Sequence, residues 1–156
     1  MQIRSAGDSE TETIKKLIYS VLVEYGLEPD PSGTDEDLEA IDESYHLNHG
    51  YFGVMEDDGK VFATIGLRRV DDHCCELRKM YMLSGYRGKG YGGQLMRFAL
   101  NKAQKLGYQR VVLETASPLI EAIALYEKYG FQEYSPESLA NRCDKAFELN
   151  LINAKN

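Results

Sequence analysis

Apolar positions along the chain change period several times, and each change predicts an element. Ile14, Leu17, Ile18, Val21, Leu22 and Tyr25 recur every three or four residues, as one face of a helix does. Ser9-x-x-Glu12 predicts a capping box at its start, and Gly26 its stop. Leu27–Thr34 is a Pro/Gly loop, Thr34 is expected to cap a shorter helix to about Ile41, and Asp42–Gly50 has no clear period. The period then falls to two. Tyr51–Glu56 and Lys60–Val70 flank Asp57-Asp58-Gly59, a strong hairpin signal. Asp71-Asp72-His73 turns the chain into a third strand, Cys75–Met82. After the turn Ser84–Lys89 a helix is predicted over Gly90–Leu106, with Leu95, Met96, Ala99, Leu100, Ala103 and Leu106 inward and Gly107 as its cap. Next come a strand Gln109–Glu114 and a helix Pro118–Tyr129. Ser117 is its expected cap, and its apolar face is Ala122, Leu125, Tyr126 and Tyr129. Phe131 opens a short strand, Ser135–Arg142 is a loop, Asp144–Leu151 is a last strand, and the tail 153–156 reads as loose.

The order is β-α-α-β-β-β-α-β-α-β-β. It predicts an α/β (α+β) architecture: a mixed sheet of about six or seven strands with helices on both faces. With 156 residues and no dividing linker, 1–156 is expected to be a single domain.

Composition narrows the function classes. The net charge of −7 argues against a nucleic-acid surface and mildly favours a cationic substrate such as an amine. No apolar run is long enough for a membrane span, and the first residues lack the core of a secretory signal, so a cytoplasmic location without membrane contact is expected. Cys74, Cys75, Cys143, His46, His49 and His73 show neither a disulfide framework nor metal-ligand spacing, so no metal is expected. Cys74 and Cys75 are candidate nucleophiles only in principle, since strand cysteines are usually just buried.

The chemistry concentrates between the third strand and the long helix. Glycines at 85, 88, 90, 92 and 93 meet a helix start, with Arg87 and Lys89 beside them. Unpaired N–H groups, the positive end of the macrodipole and two cations make a seat for phosphate or pyrophosphate. GxxxxGK[ST] is absent, which removes a P-loop. Gly88-x-Gly90-x-x-Gly93 with Glu114 about 20 residues on fits a dinucleotide turn. That fold, however, turns tightly off its first strand and needs more than one parallel crossover.

Arg87-Gly88-Lys89-Gly90-Tyr91-Gly92 also matches [QR]xxGx[GA]. The strand Glu76–Met82, the helix after the turn, and Leu125-Tyr126-Glu127-Lys128-Tyr129-Gly130-Phe131 accompany it. From about Phe62 to Phe131 the chain resembles the GCN5-related N-acetyltransferase (GNAT) superfamily. The resemblance implies the GNAT fold and an acetyl-CoA-dependent N-acyltransferase acting on a small-molecule or peptide amine. An acyl-CoA-binding GNAT module without turnover is the alternative. It further implies that Arg87, Gly88, Lys89, Gly90, Tyr91, Gly92 and Gly93 seat the CoA pyrophosphate, and that Met80, Tyr81 and Met82 pair with the pantetheine arm. The Met82 N–H would serve the oxyanion, and a homodimer would form through C-terminal strands or sheet edges.

Tyr126 matches the tyrosine that protonates the CoA thiolate, while Tyr129 is expected only to pack. Glu76 matches a glutamate base of the histone-acetylating branch. Ordered water as base, or Glu76 simply paired with Arg78 or Lys79, stay open beside it, with His73 a runner-up. Many members carry Asn after the fifth strand. Here Glu114-Thr115-Ala116-Ser117 stands there, so the hydroxyl of Thr115 or Ser117 is expected to replace that contact. For the acceptor, Tyr25, Glu28, Asp30, Tyr45, His46 and Tyr134 are the candidates.

Overall fold

In a computed structural model, which describes residues 1–151, the elements fall in the expected order. They are β1 (Gln2–Ser5), α1 (Thr11–Glu24), α2 (Ile41–Ser44), β2 (Tyr51–Asp57), β3 (Lys60–Arg69), β4 (Cys74–Met82), α3 (Tyr91–Lys105), β5 (Arg110–Thr115), α4 (Ile120–Lys128), β6 (Gln132–Tyr134) and β7 (Lys145–Asn150). The tail 153–156 lies outside the described residues. No helix among the described residues is long and apolar enough to cross a membrane.

One seven-stranded sheet runs in the order β1-β2-β3-β4-β5-β7-β6. All its pairs are antiparallel except β4–β5. The periodicity of α1 holds: Ile14, Leu17, Ile18, Val21 and Leu22 are buried against one face of the sheet, with Phe52 and Val54. Burying each such side chain is worth about 1.5–3 kcal/mol. On the other face Leu95, Met96, Ala99 and Ala103 of α3 pack with Ile65, Leu67, Cys75, Val111 and Phe147. In the β2–β3 hairpin both Asp58 (φ 54°) and Gly59 (φ 82°) are left-handed, the geometry that Asp-Gly predicts.

Three local signals are not realised as their patterns predict. The capping box does not form: a 3-10 turn at Asp8–Glu10 precedes α1, whose N-cap, Glu10, makes no side-chain cap. Ser117 does not cap α4, because its backbone N–H and its hydroxyl both donate to the Asp144 carboxylate, at 2.9 and 2.6 Å. The helix expected from Thr34 is a 3-10 turn at Glu36–Ala40 running into the short α2. Asp35 and Asp37 in that stretch are buried, drawn in by charges of β4.

Two features of β4 shape the site. The first is its parallel ladder to β5, which has only three rungs, the last being Glu76–Val112. Beyond it β5 stays paired with β7 as far as Thr115–Lys145, while β4 stays paired with β3 as far as Met82–Ala63. The sheet therefore opens into a V with Glu76 at its apex. The second is a bulge, since the β3–β4 register shifts between Thr64–Tyr81 and Gly66–Arg78. Lys79 there has φ 55°, and its carbonyl accepts from Thr64 Oγ1 at 2.6 Å. The bulge turns Arg78 and Lys79 to the same side, so both reach the Thr34 carbonyl, at 2.7 and 3.0 Å.

Candidate active site

Two cavities meet inside the V. An apolar groove of about 590 Å³ is lined by Met80, Tyr81 and Met82, by the turn residues Arg87, Gly88, Gly90, Gly92 and Gly93, and by Leu119, Ala122, Leu125 and Tyr129. A smaller polar pocket of about 60 Å³ holds Glu76, Arg78, Lys79, Glu114, Thr115, Tyr126, Arg142 and Cys143. Met80, Tyr81 and Leu119 belong to both and mark the junction.

The glycine-rich turn before α3 closes one end of the groove. Gly88 (φ 76°) and Gly90 (φ 88°) are left-handed, and Gly90 is the N-cap of α3. A side chain at either would meet open space, so glycine is needed there for its backbone freedom. At Gly92 a Cβ would make only an ordinary contact, 3.4 Å from the Leu125 side chain. Arg87 is held by Glu24, donates from Nε to the Met82 carbonyl at 2.9 Å, and lies 5.0 Å over the Tyr25 ring. Lys89 is exposed on the turn and does not line the groove. Neither does Tyr91, whose ring packs on Phe62 and anchors the turn from behind.

The backbone of β4 presents polar groups to the V. The Leu83 N–H bonds the Phe62 carbonyl, which makes Met82–Ala63 a non-hydrogen-bonded pair. The Met82 N–H and carbonyl thus point away from β3 into the opening, where the carbonyl already takes Arg87. The apolar face of α4 packs on the core as its pattern predicts and also borders the groove. Only Tyr126 is buried, while Ala122 and Leu125 wall the groove. Tyr129 also lines the groove, with its hydroxyl accepting from Arg97 at 2.7 Å, so it does more than pack.

In the polar pocket Glu76 stands beside Arg78, with Nη1–Oε1 at 3.2 Å. Thr115 is buried, and its Oγ1 has no hydrogen-bond partner among the described residues. Ser117 is committed to Asp144. Burial pushes the Tyr126 phenol well above its ordinary value, and the neighbouring Tyr81 and Cys143 add to this. Burial also raises the Cys75 thiol to about 12 and the Cys143 thiol to about 11, which leaves neither a nucleophile near neutrality.

Beneath the pocket lies a charge cluster that no sequence motif announces. Asp35 and Asp37 have fully buried side chains. Lys79 reaches Asp35 at 2.9 Å and Asp37 at 3.3 Å, and Arg142 grips both Asp35 oxygens at 2.7 Å. Arg78 and the Tyr45 hydroxyl complete the surroundings of Asp37. Burial pushes the Asp35 carboxyl up, but Arg142 and Lys79 outweigh it and hold it below the ordinary carboxylate range. Burial and the adjacent Arg78 depress the Lys79 ammonium despite its two carboxylates. The cluster absorbs Tyr45 as structure. His46 bonds the Ala6 carbonyl and Tyr134 lies under Arg110, so neither of these acceptor candidates faces the pocket.

A sheet split at a parallel pair, with a glycine-rich anion seat beside the opening, defines a class of acyl-CoA-binding transferases. Residues 16–131 match the Acetyltransferase (GNAT) family, and the chain belongs to it. An uncharacterized N-acetyltransferase of Escherichia coli, YjgM, is 38% identical over 130 residues, 79% of this chain and 77% of that protein. A probable N-acetyltransferase family 8 member of mouse is 38% identical over 101 residues, 62% of this chain and 44% of that one. A GNAT-family acetyltransferase of Staphylococcus aureus superposes with a TM-score of 0.87 at 25% identity, covering 96% of this chain and 98% of its own. The fold also matches a spermidine N-acetyltransferase of Vibrio cholerae, solved with CoA and spermine. That match has a TM-score of 0.74 at 21% identity, over 99% of this chain and 98% of the other. The protein is an N-acetyltransferase.

Proposed function

We propose that the protein transfers an acetyl group from acetyl-CoA directly to the amine of a small molecule at the junction of the two cavities. The observation that carries this is the V beyond the Glu76–Val112 rung, which joins an apolar groove beside the glycine-rich turn to a pocket that holds the Glu76 carboxylate and the Tyr126 phenol among its lining groups. The residues fit CoA. Unpaired N–H groups at the start of α3, with Arg87 and Gly88–Gly93, suit the pyrophosphate, and the open edge at Met80–Met82 suits the amide-rich arm. Acetyl-CoA supplies a thioester-activated acetyl group.

The residues then divide the work. Glu76 takes a proton from the ammonium so that the nitrogen lone pair can attack the carbonyl carbon. The Met82 N–H donates to the oxygen as negative charge builds there. Tyr126 gives its proton to the thiolate as the C–S bond breaks. The buried, unpartnered Thr115 hydroxyl is a donor for the pantetheine arm, in place of the family's Asn.

The test is purified protein with acetyl-CoA and an amine panel, read by free-thiol release. Amine-dependent release that Tyr126→Phe lowers by about 10²-fold is expected. Tight CoA binding with no release for any amine would identify a binding module instead.

A further inference from the structure

The acceptor side of the V continues outward. A polar cleft of about 610 Å³ shares Thr34, Arg78 and Ala140 with the small pocket and adds Glu36, Glu43 and Arg68. Its buried charges are matched among themselves: Asp35 with Lys79 and Arg142, Asp37 with Lys79 and Arg78. Glu36 and Glu43 are exposed at the rim, where water screens them. Arg68 differs from all of these. It is half-buried and makes no hydrogen bond or ion pair with any described residue, whereas the next residue, Arg69, is taken by Asp72. The planar fork of Arg68 suits a carboxylate.

Its position gives that preference a meaning. Arg68 is the cross-strand partner of Glu76, so the two side chains stand on one face of the sheet with Cβ atoms about 5 Å apart. Arg78 occupies only Oε1 of Glu76. A group that accepts an ammonium proton and a group that receives a carboxylate therefore stand side by side. That is the spacing of the two charges in a molecule whose amine and carboxylate are a few bonds apart.

We propose that Arg68 binds the acceptor's carboxylate and that the acceptor is a small aminocarboxylate, an α-amino acid or a short homologue, rather than a polyamine. This rests on Glu76 facing the amine, as argued above. Arg68 is a specificity determinant: it acts on binding of the acceptor and takes no part in proton transfer.

The experiment measures CoA release with the common L-amino acids, β-alanine, γ-aminobutyrate and spermidine. The best aminocarboxylate is then compared with its carboxamide and with the amine lacking the carboxylate, on the wild type, Arg68→Gln and Arg68→Lys. The wild type is expected to prefer the carboxylate over the carboxamide by at least about tenfold in kcat/KM, the size of one charge-assisted pair. Arg68→Gln should collapse that ratio towards one through a raised KM for the carboxylate. Arg68→Lys, which keeps the charge without the fork, should retain part of it and also guards against a folding defect. Equal use of acid and amide, or a ratio that Arg68→Gln leaves intact, overturns the proposal. If spermidine or a simple amine is acetylated in a Tyr126-dependent way while no aminocarboxylate is, this inference fails and the acetyltransferase reading stands. Thiol release with no amine at all overturns both.

Discussion

At the scale of single residues the proton inventory decides the chemistry. A phenol raised by burial keeps its proton above the ordinary value near 10, so Tyr126 stays protonated through neutral and alkaline pH. The kcat profile is therefore expected to show no alkaline limb from this group at or below about pH 10. Tyr126→Phe should lower kcat by about 10²-fold while CoA binding, followed calorimetrically, is retained. Glu76→Gln tests the base. A loss of about 10²-fold at pH 7 is expected, shrinking as pH rises and the amine sheds its proton in solution. A loss under about tenfold would assign the task to water held in the pocket and leave Glu76 as the partner of Arg78.

At the scale of elements, the turn before α3 depends on two left-handed glycines, Gly88 and Gly90. Gly90→Ala forces a Cβ into the left-handed region and should cost about 1–2 kcal/mol of stability in chemical denaturation, together with weaker CoA binding. Gly85→Ala is the control. Gly85 has no positive φ and no neighbour within 4 Å of a Cβ, so it should behave as the wild type. The periodic apolar residues of α4 pack on the core, and Ala122, Leu125 and Tyr129 line the groove as well.

At the scale of the whole molecule, Asp35 ties three distant segments together: the loop after α1, the β4 bulge through Lys79, and the loop before β7 through Arg142. Removing one partner of a buried pair strands the others, so Asp35→Asn should destabilise by about 3–5 kcal/mol, measured by denaturant titration. The sign with pH follows from the lowered Asp35 carboxyl. Its contribution is fully present above the unfolded value near 4 and is lost as pH falls below it, so the acid limb of the stability curve should be shallower in Asp35→Asn.

Periodicity, glycine stops and the Asp-Gly hairpin determined the order of elements, because those signals are local. Arg87–Gly92 and Leu125–Phe131 were legible as family motifs because each is contiguous in the chain. Three things were legible only in the tertiary structure. The first is the V, which depends on where β5 leaves β4 for β7. The second is the Asp35–Lys79–Arg142 cluster, whose members lie up to 107 residues apart and read singly as ordinary surface charges. The third is the side-by-side placement of Arg68 and Glu76, which is a matter of strand register. The sequence alone thus determined that acetyl-CoA chemistry belongs here. The acceptor's surroundings were decided by packing, because they are built from single side chains on separate segments that only the folded sheet brings together.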